Sequence, residues 1–257
     1  MQQPQTRIEK ERIGEMPTLI VSPLTRGEYP VVVALHGLTG SKETMLPLAQ
    51  PLAAAGYVVA CPDARFHGDR LDPAWMQFLQ VRETEAVIRC IGETAAELPE
   101  LVDALLARRD TRGSSGSGSG GAVNGVGIMG VSLGALTLYD AVPREPRFRV
   151  AASLIGGGIF PRDPQVIERM DDATRKDFAE RDIRNHLGAF AGVALLLLAG
   201  ADDTRLPAAA TQALHDALTP QVRDRSRLRL AIEPGIGHEV TMPMGAETVA
   251  WFRRFLT

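Results

Sequence analysis

Cysteine is scarce in this chain, with only Cys61 and Cys90 among 257 residues. Two such residues make neither a disulfide framework nor a metal-binding spacing. They read as buried thiols, which points to a reducing, cytoplasmic setting. Long apolar runs are lacking as well. The longest, from Val193 to Ala199, is the size of a buried strand and falls far short of the ~18 residues of a membrane-spanning helix. The opening MQQPQTRIEKERIGE is polar throughout, so no secretory signal is expected. Neither sign of charge dominates: 28 Lys and Arg face 31 Asp and Glu, a formal net charge of −3. No face-length basic run exists to grip nucleic acid or an anionic membrane, and neither is expected as a partner. Nothing calls for a metal or an organic cofactor, and the oligomeric state is left open.

What is present is an alternation of strand-like and helix-like segments. The order implies one α/β domain over 1–257, a mostly parallel twisted sheet with helices on both faces. Val31 to Leu35 is wholly apolar, as a strand buried on both faces should be. Arg7–Ile13 and Thr18–Ser22 before it predict two antiparallel edge strands. Met45 to Ala55 predicts a helix stopped by Gly56, and Tyr57 to Cys61 the next strand. A helical stretch covers about Glu83 to Arg109, with a break expected near Pro99. Further strands are predicted at 126–129, 150–154, 193–198 and 228–232, and helices at 133–141, 206–218 and 247–256. Residues 113–121, GSSGSGSGG, contain only Gly and Ser. Such a run cannot offset its own ordering entropy, so it predicts a flexible surface loop.

Gly130-Val131-Ser132-Leu133-Gly134 lies between a predicted strand and a predicted helix. That is the setting of a G-x-S-x-G nucleophile elbow, a strained turn that lifts the serine hydroxyl above the sheet edge. Small residues are needed on both sides of the serine, because the backbone there passes close to its neighbours. The backbone N–H of Leu133, opening the helix, is then one candidate donor to an oxyanion.

With Ser132 go HGLTGSKE (36–43), CPDARFHGD (61–69), AGADDTRLP (199–207) and PGIGHEVT (234–241), in that order. Together these segments resemble the α/β-hydrolase superfamily. The likeness is to its small bacterial serine carboxylesterases near the dienelactone-hydrolase and prolyl-oligopeptidase branches. Dienelactone hydrolase carries cysteine as nucleophile, and this chain has Ser132, which favours ordinary ester hydrolysis. The resemblance implies an α/β-hydrolase fold with a small helical cap, and a triad in the chain order serine, acid, histidine. Among five histidines, His36 and His67 precede Ser132, His186 precedes the acid, and His215 lies within a helix. His238, in a Gly-rich turn after the last strand, is left as the base. The G-x-x-D-x-x-h-P pattern of similar hydrolases, with h an apolar residue, registers the acid on Asp203, with Asp202 as the alternative. An H-G-x segment in similar proteins supplies the second oxyanion donor, which falls on Leu38. His36 and Thr39-Gly40-Ser41 are read as shaping that loop.

Substrate contacts are expected from two covering segments: residues 66–78, with Trp75 and Phe78, and a cap insertion at about 160–187, opening on Phe160. The expected activity is hydrolysis of small, short-chain carboxylic esters through an acyl-enzyme intermediate. Two other readings stand beside it: a serine peptidase of the prolyl-oligopeptidase type, and a non-catalytic relative that only binds a ligand.

Overall fold

Runs of apolar residues too short for helices make up the centre of the molecule. The computed structural model describes residues 6–111, 125–158 and 164–257. The Gly/Ser run at 113–121, Phe160 and the first residues of the expected cap lie outside these. The strands are β1 (Thr6–Ile13), β2 (Met16–Pro23), β3 (Val31–Leu35), β4 (Val58–Pro62), β5 (Val126–Val131), β6 (Phe148–Leu154), β7 (Ala194–Gly200) and β8 (Leu228–Glu233). They form one sheet in the order β1-β2-β4-β3-β5-β6-β7-β8. All neighbours from β4 to β8 run parallel, while β2 is antiparallel to both β1 and β4. Only β1 is therefore an edge strand at that end. The expectation of two was wrong for β2, whose apolar run Leu19-Ile20-Val21 is fully covered.

The helices are α1 (Leu46–Ala54), α2 (Pro73–Val81), α3 (Glu83–Leu106), α4 (Leu133–Ala141), α5 (Pro164–Arg169), α6 (Asp172–Glu180), α7 (Ala208–Leu218) and α8 (Met242–Phe255). Alternate residues of β3 show how the layers divide. Val31, Val33 and Leu35 belong to a core that takes in residues of α3, α4 and α7, whereas Val32 and Ala34 belong to one that takes in α1 and α8. Two expectations about helices need correction. Pro99 does not interrupt α3, because burial of Leu98, Leu101, Val102 and Leu105 around it holds the segment helical. The last helix begins at Met242, well before 247. Thr241 caps it by accepting the Met244 N–H, and Pro243 suits a first turn that needs no N–H. Among the described residues no helix is long and apolar enough to cross a membrane.

The sheet order reverses at β3, which lies between β4 and β5. In open parallel sheets such a switch point, at the carboxyl ends of the strands, leaves a crevice. The segments that follow β3, β5, β7 and β8 all open on that edge. Between β6 and β7 the chain leaves the sheet to form α5 and α6 before returning.

Candidate active site

Ser132 sits between β5 and α4 with φ 54° and ψ −113°, a left-handed conformation costly for any side chain. Its surroundings enforce it. A Cβ at Gly130 would lie 2.2 Å from the Gly134 carbonyl oxygen, and one at Gly134 would lie 2.2 Å from that of Leu35. The Ser132 N–H donates to the Leu154 carbonyl at 3.0 Å, tying the turn to β6.

His238 and Asp203 arrive from the loops after β8 and β7. Those loops are fastened together: Ala201 N–H donates to Glu233 O and Asp202 N–H to Ile236 O, each at 2.9 Å. Gly200 permits this, since a Cβ there would lie 2.3 Å from Ile236 O. Asp203 is buried, and Asp202 is exposed. One Asp203 oxygen accepts the N–H groups of Arg205 and Leu206 at 2.9 Å each. The other lies 2.7 Å from Nδ1 of His238. Burial pushes this carboxyl up, but the Leu206 and Arg205 N–H groups and His238 outweigh it and hold it below the usual carboxylate range. An ionised carboxylate only accepts, so Nδ1 is the donor. Nε2 is left with a lone pair, 2.9 Å from Ser132 Oγ.

The loop after β3 comes alongside. A Cβ on Gly37 would be 3.5 Å from Ser132 Cβ, and Leu38 and Leu133 both border the cavity over the serine. The Leu133 N–H opens α4 and has no carbonyl one turn earlier to bond. His36 has both ring nitrogens engaged by backbone groups other than those of Ser132. Its Nε2 accepts the Ala64 N–H at 3.0 Å, so Nδ1 donates to Gly37 O at 2.8 Å. Burial holds its pKa down at about 4. His67 is likewise buried, with Nδ1 against Arg65 O, and Arg65 pairs with Glu93 and Glu97 of α3.

Beneath this loop lies a buried ion pair that sequence reasoning missed. Lys42 Nζ donates to Asp63 at 2.7 Å and to Asp69 at 2.8 Å. Asp63 also accepts the N–H groups of Lys42 and Asp69. Lys42 stands in HGLTGSKE and Asp63 in CPDARFHGD, but nothing in the residue pattern marks them as buried.

The cavity above Ser132 has a volume of about 950 Å³. Its walls are aliphatic residues of α3 and α4 (Val87, Ile88, Ile91 and Leu136) with Phe178 and Ile183 of the segment between β6 and β7. Neither Trp75 nor Phe78 is among its lining residues. Trp75 is buried in a separate cluster, stacked on Phe66 at 5.4 Å and tilted against His67 at 4.8 Å. Phe78 faces solvent, 37% exposed. The expectation took the largest aromatics near the strand end as pocket walls. In the structure α2 turns them toward α3 and outward instead.

Known proteins resemble this chain over nearly its whole length. Esterase YjfP of Escherichia coli (strain K12) is 29% identical over 270 residues, covering 97% of this chain and 99% of that protein. The structure of TT1662 from Thermus thermophilus superposes with a TM-score of 0.80 at 25% identity, covering 97% of this chain and 98% of that one. Dienelactone hydrolase from Anabaena variabilis, at 19% identity and a TM-score of 0.64 over both full chains, shares the fold. The dienelactone hydrolase family itself matches residues 16–242, a span holding the serine turn, both fastened loops and the cavity walls, and the chain belongs to that family.

Proposed function

We infer that this protein is a serine-type carboxylic ester hydrolase, acting on small, short-chain esters with Ser132 as nucleophile, His238 as base and Asp203 as acid. The observation that carries the assignment is the unbroken relay from Ser132 Oγ to His238 at 2.9 Å and on to Asp203 at 2.7 Å, at the foot of an apolar cavity. As Oγ attacks the ester carbonyl, Nε2 takes its proton, and Asp203 steadies the imidazolium. The N–H groups of Leu38 and Leu133 are the donors proposed for the oxyanion, worth about 10²–10³ in rate for each such donor. The imidazolium then gives its proton to the departing alcohol, leaving Ser132 acylated. Water, deprotonated by His238, releases the acid and restores the hydroxyl. The described part of the expected cap, from Pro164 on, covers this site, with Phe178 and Ile183 on the cavity wall. The esterase YjfP likeness favours esters over peptide amides, and the free, buried Cys61 and Cys90 suit a reducing cytoplasm.

Treating the protein with a fluorophosphonate probe and with p-nitrophenyl esters, beside Ser132→Ala, tests the reading. Labelling at Ser132 and ester turnover that vanishes in the variant are expected. No labelling, or equal turnover by the variant, would overturn it; faster cleavage of prolyl or aminoacyl amides would favour a peptidase.

A further inference from the structure

Charged residues border the cavity as well as apolar ones, and one of them stands on the helix that Ser132 opens. Asp140 lies about 12 Å further along α4, at ~1.5 Å of rise per residue, and its side chain is 6% exposed. It borders the cavity together with Arg181, which follows α6. Arg181 Nη1 donates to Asp140 at 2.6 Å and its Nε to Asp177 at 2.8 Å. Asp140 already has a cation on its own helix, because Arg144 donates to both of its oxygens at 3.2 Å. Neutralising Asp140 therefore does not by itself require Arg181. What Arg181 adds is a bond from the segment between β6 and β7 to the body of the protein.

The helix facing that bond is shaped to admit it. Gly92 stands in the middle of the 24-residue α3, where glycine lowers helix stability by about 1 kcal/mol relative to alanine. A Cβ at that position would lie 2.3 Å from Cζ of Arg181 and 2.4 Å from Nη2. The missing side chain is thus a notch through which the guanidinium passes to reach α4. Three elements distant in sequence converge on one planar group.

We propose that Arg181 is a specificity-determining residue: seated in the notch at Gly92 and paired with Asp140, it fastens the insertion across the end of the cavity and limits the length of the substrate chain lying along α4. This rests on Ser132 being the nucleophile, from which that length is measured. A chain that reaches the ion pair must either stop short or strip a buried carboxylate of one of its donors. Arg181 touches none of the reacting atoms, so it acts on selection and leaves the chemical step alone.

Two ester series separate the possibilities, p-nitrophenyl acetate to octanoate and ethyl to octyl acetate, with kcat and KM measured separately. In Arg181→Ala the ratio of kcat/KM for the longest over the shortest ester should rise about tenfold or more in one series. Turnover of p-nitrophenyl acetate should stay within about twofold, since the interaction lost is remote from the transition state. Gly92→Ala should shift the ratio the same way: its methyl displaces the guanidinium, keeps the charge and improves helix propensity. Arg181→Lys, with a charge but no planar fork, should fall between Arg181→Ala and wild type. Should Arg181→Ala not fold, Gly92→Ala decides alone. Ratios unchanged in both series in a folded variant, or an equal fall for every ester, would overturn the proposal while leaving Ser132 in its role. A wild-type protein that turns over no ester in either series would remove both.

Discussion

Asp203→Asn puts the orientation of His238 to the test with almost no change of shape. One Asp203 oxygen accepts two backbone N–H groups, from Arg205 and Leu206, at 2.9 Å each. In asparagine that place must go to the carbonyl oxygen, because an NH₂ there would confront two donors with two donors. The side chain therefore cannot flip, and its NH₂ is forced toward Nδ1 of His238, 2.7 Å away in the native protein. Nδ1 then has to accept, which moves the ring proton to Nε2. Nε2 now presents a hydrogen to Ser132 where a lone pair is required. The same inversion in a serine protease lowers kcat by about 10⁴, which corresponds to about 5.4 kcal/mol of barrier. Turnover of p-nitrophenyl acetate by Asp203→Asn should accordingly drop about 10⁴-fold, with the protein folded and KM little altered. Asp202→Asn, at an exposed neighbour, should keep the wild-type rate. Activity of Asp203→Asn within about tenfold of wild type, or an equal loss in Asp202→Asn, would refute this account of the acid.

Two further perturbations address what holds the loop after β3. Burial keeps the His36 pKa at about 4 in the folded protein, against about 6.5 in an unfolded chain. Between these values the unfolded state binds a proton that the native state refuses. Stability is therefore intact above about pH 6.5 and declines toward pH 4 by about 3 kcal/mol from this residue. Urea unfolding of wild type and His36→Gln, which keeps an acceptor for the Ala64 N–H, should show a shallower acid loss in the variant; parallel curves would count against it. Lys42→Ala strands the fully buried Asp63 without its cation, a change that costs about 3–5 kcal/mol. Equilibrium unfolding in urea measures it, and a loss below about 1 kcal/mol, the scale of an exposed pair, would mean that the pair contributes no more than a surface one.

Most of the fold was legible because burial leaves a plain trace in a parallel sheet. Val31 to Leu35 is apolar on both faces, and it could be placed as a central strand before any partner was known. The turn around Ser132 was legible for a related reason: glycine at both 130 and 134 is a demand of close backbone approach, and such demands are local. Pro99 misled because its effect on a helix depends on what packs around it, and Leu98, Leu101 and Leu105 outweigh a missing N–H. The antiparallel β2 misled in the same way, since only the sheet order reveals that β4 covers its other side.

The choice between Asp202 and Asp203 marks where local reading stops. Both are aspartates in the same turn, and only the family pattern separates them in the sequence. In the structure the separation is physical: two N–H groups and an imidazole converge on Asp203, while Gly200 lets the loop of His238 press against its own. The cavity walls lie further still from local reading. Aromatics beside a strand end, Trp75 and Phe78, looked like substrate contacts, yet aliphatic residues of α3 line the space. Arg181 and Asp140 border it too, and they meet beside Gly92, a glycine that in isolation resembles nothing more than a weak point in a helix. Reaction chemistry needs a few groups set by tight turns, and tight turns write themselves into neighbouring residues. The shape that selects a substrate is made where separate elements meet, so its residues carry no mark of one another until the chain is folded.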